Sequence, residues 1–74
     1  MSINQLNILI VDDNEDHQIL MEDALKQYKQ NVEVVFVCTG EECINKLSNE
    51  AFDAIIIEYS LSDMNGLEVL KRLN

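Results

Sequence analysis

Seventy-four residues make one domain at most. A chain this short buries only about 60% of the surface its unfolded form exposes, so its stability is marginal and a staple or partner is expected. An apolar share of 47% excludes a disordered chain. Fourteen acidic residues against five basic ones give a net charge of −9, a field that repels nucleic acid and anionic membrane and suits a divalent cation or a basic partner surface.

The start, Met1-Ser2-Ile3-Asn4-Gln5, has neither the basic nor the long apolar region of a secretory signal. Apolar runs such as Ile8 to Val11 and Ala54 to Ile57 fall far short of the roughly 20 residues of a membrane span. A soluble, cytoplasmic protein is expected. Leu6-Asn7-Ile8-Leu9-Ile10-Val11 is β-branched and almost unbroken, and it stops abruptly at Asp12-Asp13-Asn14. Too short for a helix, it fits a strand buried on both faces, as in a parallel sheet. Asn14-Glu15-Asp16 opens a helix with acids at the positive end of its dipole. Ile19, Leu20, Ala24, Leu25 and Tyr28 trace its expected apolar face, and the polar stretch Gln27 to Asn31 ends it.

Val32 to Val37 reads as a second strand. Thr39 begins a capping box with Glu42, and the helix it starts presents Cys43, Ile44 and Leu47 before fading through Ser48-Asn49-Glu50. A third strand, about 53–58, runs from Asp53 through Ala54-Ile55-Ile56-Ile57 to Glu58. After a loop, Asn65-Gly66 leads into a third helix, with Gly66 acceptable in its first turn. The order is β-α-β-α-β-α, which means an α/β fold with a parallel sheet and right-handed crossovers. No cap, Gly or Pro ends the last helix before Asn74, and the chain is expected to be the N-terminal part of a larger fold.

In an open α/β sheet, ligands gather outside the carboxyl ends of the strands, where strand order reverses. If the order is 2-1-3, that point lies between the first and third strands, whose ends carry Asp12-Asp13 and Glu58. Asp-Asp-Asn could simply end a strand and start a helix. A third acid at the other strand end favours a site for a hard cation such as Mg²⁺ or Ca²⁺. Cys38 and Cys43 have no second pair to complete a zinc site and read as partly buried thiols. His17, the one histidine, lies off the apolar face and reads as a solvated surface residue. Tyr59 and Met64, beside the acids, read as packing residues.

The segment Ile8-Leu9-Ile10-Val11-Asp12-Asp13-Asn14-Glu15-Asp16 resembles the opening acidic strand of two-component receiver domains. Asp53 to Leu67, with Met64-Asn65-Gly66-Leu67 closing it, resembles the phosphorylation segment of the same family. Together the resemblance covers nearly the whole chain and implies a flavodoxin-like (CheY-like) sheet of order 2-1-3. It also implies a Mg²⁺ site of Asp12, Asp13, Glu58 and the backbone carbonyl of Ser60, and a histidine kinase or phosphotransfer protein as partner.

Two main departures, and a smaller one at Ser62, qualify that resemblance. Glu58 stands where the family has its phosphoacceptor Asp, so a phosphorylation-incompetent, phosphomimetic form with a weak Mg²⁺ site is expected. The family's switch hydroxyl and lysine belong to strands beyond Asn74, and Ser62 replaces the usual Pro. A free-standing enzyme is not expected; a small metal-dependent hydrolase would lack a base and an oxyanion group. The rival reading is a structural half-domain that homodimerises. Its interface would join Ala54, Ile55, Ile56 and Ile57 of the third strand with Leu67 and Leu70, beside Leu73, on the last helix.

Overall fold

Strands and helices alternate through the chain: β1 (Leu6–Val11), α1 (Glu15–Tyr28), β2 (Val32–Val37), α2 (Gly40–Asn49), β3 (Ala54–Ile57) and α3 (Gly66–Arg72). They come from a computed structural model that describes residues 5–28 and 31–73, the side chain of Tyr28 excepted. The expectations for Met1–Asn4, Lys29, Gln30 and Asn74 lie outside the described residues. β1 and β2 run as the apolar patterning predicts. β3 is one residue shorter at each end than expected, although Asp53 and Glu58 both still donate their N–H groups to carbonyls of β1. Asp53 accepts from the Asn7 N–H through its carboxylate (2.7 Å) and donates its own N–H to the Asn7 carbonyl (2.8 Å).

The sheet is parallel, with the order β2-β1-β3. Leu6 to Val11 pair with Val32 to Val37, and Ile8 to Val11 pair with Ala54 to Ile57. Successive strand residues point to opposite faces, so the apolar run of β1 feeds two cores. Leu9 and Val11 meet Cys43, Leu61 and Val69 on the side of α2 and α3. Ile8 and Ile10 meet Met21 and Leu25 of α1 on the other. No helix among the described residues is long and apolar enough to cross a membrane.

α2 begins as its capping box dictates. The Glu42 N–H donates to Thr39 Oγ1 (3.0 Å), and the Glu42 carboxylate accepts from the Thr39 N–H (3.1 Å). Asn65 caps α3 by accepting from the Glu68 N–H (2.8 Å). Gly66 then lies against the end of β3, its N–H donating to the Tyr59 carbonyl (2.7 Å).

Four expectations about packing are corrected. On α1, among the described side chains of the expected face, only Leu25 meets the sheet, joined by Met21. Ile19 and Leu20 are 65% and 66% exposed, and Ala24 is exposed as well. The Met21–Leu25 pair is an i,i+4 stripe, and the Leu20–Ala24 stripe lies about 100° round the helix from it. Only one of these two neighbouring stripes can lie over β1 and β2. Cys38 is exposed rather than half-buried, while Cys43 is fully buried. Tyr59 points outward at 61% exposure, leaving Met64 alone to fill space under α2. Leu73 packs against the core and so does not belong to the open patch, where Leu67 and Leu70 remain exposed.

Candidate functional site

Asp12 is the first residue past β1 and the one buried charged residue among those described. The ladder carries it: its N–H donates to the Val37 carbonyl (3.1 Å), one step beyond the last strand pair. Its carboxylate then organises the turn into α1. Oδ1 accepts from the Asn14 N–H (2.9 Å), and Asn14 Oδ1 in turn accepts from the N–H groups of Asp16 (2.9 Å) and His17 (3.3 Å). Asn14 thus acts as the N-cap of α1. The Asp12 carbonyl accepts from Gln18 Nε2 (2.6 Å), which ties the first helical turn over the strand end.

Glu58 lies beside Asp12 because β3 is the neighbour of β1; its N–H donates to the Val11 carbonyl (2.9 Å). Its Oε2 accepts from the Ser60 N–H (3.3 Å), and Ser60 pairs back with Asn65 in an isolated antiparallel bridge. Of the three acids expected to converge, Asp12, Asp13 and Glu58, the first and last lie together at the carboxyl end of the sheet. A third group joins them. His17 Nδ1 is 3.1 Å from Asp12 Oδ2, and donor atoms of Asp12, His17 and Glu58 all lie within 4.8 Å of one another.

Asp13 does not belong to that group of three. It is exposed and lines an open groove with Asn14, Glu15, Asp16 and Cys38. His17, expected to be a solvated surface residue, is half-exposed yet bonded to the buried acid. Its place in the first turn of α1 explains this, because helical side chains lean toward the N-terminus and so over the strand end. The signal in the sequence was its position three residues after the capping Asn14. Asp12 and Glu58 together can hold a divalent cation, and the imidazole is a third donor within reach.

A family model described as the response regulator receiver domain matches residues 8–74. The chain belongs to this family. Curated relatives place receiver sequence in large signalling proteins. They include the sensory/regulatory protein RpfC of Xanthomonas campestris pv. campestris (28% identity over 71 residues, 96% of this chain and 10% of the relative). The response regulator mcs4 of Schizosaccharomyces pombe is 33% identical over 78 residues (97% of this chain, 15% of the relative). The autoinducer 2 sensor kinase/phosphatase LuxQ of Vibrio vulnificus is 29% identical over 68 residues (92% and 8%). The chain therefore spans about a twelfth to a seventh of these relatives' length. A mutant of the response regulator MaeR bound to sulfate shares the fold, with a TM-score of 0.85 at 22% identity over 95% of this chain and 57% of that one. The receiver of two-component signalling, in the order β2-β1-β3, is thus the frame in which Asp12 and Glu58 sit.

Proposed function

We propose that this receiver takes no phosphoryl group and works as a fixed-charge form of the domain, with Glu58 in the phosphoacceptor position. The observation that carries the reading is the place of Glu58: a carboxylate directly after β3, beside buried Asp12, with its Oε2 turned back onto the Ser60 N–H. An acyl phosphate needs a carboxylate oxygen in line with the incoming phosphorus, and a misplacement of about 1 Å costs about a hundredfold in rate. The extra methylene of Glu58 and its bond to Ser60 both move it from that line. Its single charge imitates a phosphate only in part, since a phosphoryl group carries nearly two.

In this reading Asp12 and Glu58 are the centre of a weak divalent-cation site, which Asp13 would join only by turning in from the neighbouring groove and to which the Ser60 carbonyl would add an oxygen. When bound, the ion would neutralise charge at the strand ends. Histidine kinases or phosphotransfer proteins would dock on the surface without delivering phosphate. Intact-mass spectrometry after incubation with acetyl phosphate and Mg²⁺ tests the proposal. No phosphate adduct is expected on the chain, while Glu58→Asp is expected to gain one; an adduct on Glu58 itself sinks the reading.

A second reading is favoured by one further observation: the outer edge of β3 is unpaired in the order β2-β1-β3, beside exposed Ile55, Ile56, Tyr59, Leu67 and Leu70. Two copies paired through Ala54-Ile55-Ile56-Ile57, with Leu67 and Leu70 covering one another, would bury this edge in a homodimer. Because each copy carries a net charge of −9, that dimer should tighten with salt. Sedimentation equilibrium decides it. A dimer strengthened by salt and broken by Ile56→Lys is expected, and a folded monomer at micromolar concentration rules the reading out.

A further inference from the structure

We infer that His17 is the third protein ligand of the Asp12–Glu58 cation site and turns its preference from Mg²⁺ toward a borderline transition-metal ion of the Zn²⁺ class. The inference rests on the proposed cation site and adds its selectivity. Three observations carry it. Asp12 is a buried carboxylate whose Oδ2 has the His17 ring as its hydrogen-bond partner, 3.1 Å from Nδ1. A Glu58 oxygen shares the same small space, all three donors lying within 4.8 Å of one another. Asp13, which an all-oxygen site would use, stands in the neighbouring groove instead.

The geometry is close to that of a bound ion without being closed on one. Ligands at about 2.0–2.2 Å from a tetrahedral Zn²⁺ lie roughly 3.3–3.6 Å from each other. The three donors, within 4.8 Å of one another, would draw together around an ion by side-chain rotation, chiefly of Glu58, whose Oε2 is held by one long bond to the Ser60 N–H (3.3 Å). Mg²⁺ demands an octahedron of hard oxygens and gains little from an imidazole, whereas imidazole with carboxylates suits Zn²⁺, Co²⁺ and Ni²⁺. Two carboxylates and one imidazole form a three-ligand set, leaving a fourth position to water. Neutral His17 would coordinate through Nδ1, displacing its hydrogen bond to Asp12, while its exposed edge keeps Nε2–H in water.

Zn²⁺ outranks Mg²⁺ even at many oxygen sites, so the deciding measurement is the part played by His17. Exposed Cys38 beside the acidic groove could take up zinc separately, and the experiment therefore uses the full chain carrying Cys38→Ser. Zn²⁺ and Mg²⁺ are titrated in turn, followed by ¹⁵N NMR of the single imidazole and of the carboxyl-bearing residues. Zn²⁺ should move the Nδ1 resonance of His17 as direct coordination does. His17→Gln should lower Zn²⁺ affinity by about tenfold or more, since loss even of an outer partner costs about 10–100-fold. Mg²⁺ affinity should change less than about twofold in that variant. If Mg²⁺ shifts Asp12 and Glu58 while Zn²⁺ leaves the His17 ring untouched, or if His17→Gln leaves Zn²⁺ affinity unchanged, this inference is overturned and the cation site stands. If neither ion shifts Asp12 or Glu58, both fall.

Discussion

β1 and β3 are built from the same kind of residue and end up in opposite surroundings. Ile8, Leu9, Ile10 and Val11 of β1 are 3%, 0%, 0% and 0% exposed, whereas Ile55 and Ile56, paired with Leu9 and Ile10, are 38% and 39% exposed. Their intrinsic strand preference is alike. What differs is position in the sheet: β1 has a ladder on each side and a core on each face, while β3, among the described residues, has one ladder and an open edge. Apolar runs tell that a strand exists, but strand order decides how much water it loses. β3 has the composition of an internal strand placed at an edge, which is why a partner for that edge is an attractive reading.

The largest expected effect separates the two strands directly. Leu9→Ala opens a cavity where the side chain is fully buried and should cost about 2–5 kcal/mol. In a domain of this size that is enough to leave the chain largely unfolded. Ile55→Ala in the register position beside it removes a side chain already more than a third in water, and should cost less than about 1.5 kcal/mol. Urea unfolding of the two variants checks this. Equal losses would mean that the β3 edge is covered in solution, and would support the homodimer.

Gly40→Ala should be the next largest. A Cβ there would fall 2.5 Å from Met64 Cγ and 2.9 Å from Val69 Cγ2, so both must give way. Met64 is flexible, but Val69 is fully buried and β-branched, and overpacking of this kind costs about 1–3 kcal/mol. Thermal unfolding measures it. Gly40→Ala combined with Met64→Ala should recover part of the loss if the steric account is right; no recovery would place the strain on Val69 alone.

How much of this was legible without coordinates follows from the range of each interaction. The strands and the cap of α2 depend on local patterns and could be read directly, whereas the meeting of Asp12 with Glu58 also needed the strand order that the family resemblance implied. The burial of α1 could not. Leu20–Ala24 and Met21–Leu25 are both acceptable apolar stripes, and only the placement of the helix over Ile8 and Ile10 selects the second. His17 was missed for a related reason: its contact with Asp12 depends on how Asn14 caps the helix, and an apolar periodicity carries no trace of that. The loop after β3 was also opaque, because Asp63 reaches across 22 and 23 residues to its partners.

That reach is the basis of the smallest effect expected, and it bears on how the weaker strand is held. β3 has a single ladder, so the loop that follows it needs an anchor outside the sheet. Asp63 supplies one: Oδ1 accepts from the Gly40 N–H (2.9 Å) and Oδ2 from the Glu41 N–H (3.0 Å), joining the loop to the first turn of α2. These two backbone donors, Gly40 first, hold the Asp63 carboxyl below its ordinary value of 3.8. The folded pKa is depressed, so the stabilisation is fully present above pH 3.8 and is lost as pH falls through the lower, folded value. The group is at the surface, so water and salt weaken the effect. Asp63→Asn keeps one acceptor oxygen and removes the charge. It should lower stability slightly at neutral pH and flatten the acid limb of the stability profile, leaving α2 in place by amide exchange. Stability of both proteins measured from pH 7 down to about pH 2 gives the comparison. Parallel profiles would mean that the loop after β3 is held by Asn65 and the Met64 packing, and that the Asp63 carboxylate only marks where the loop passes.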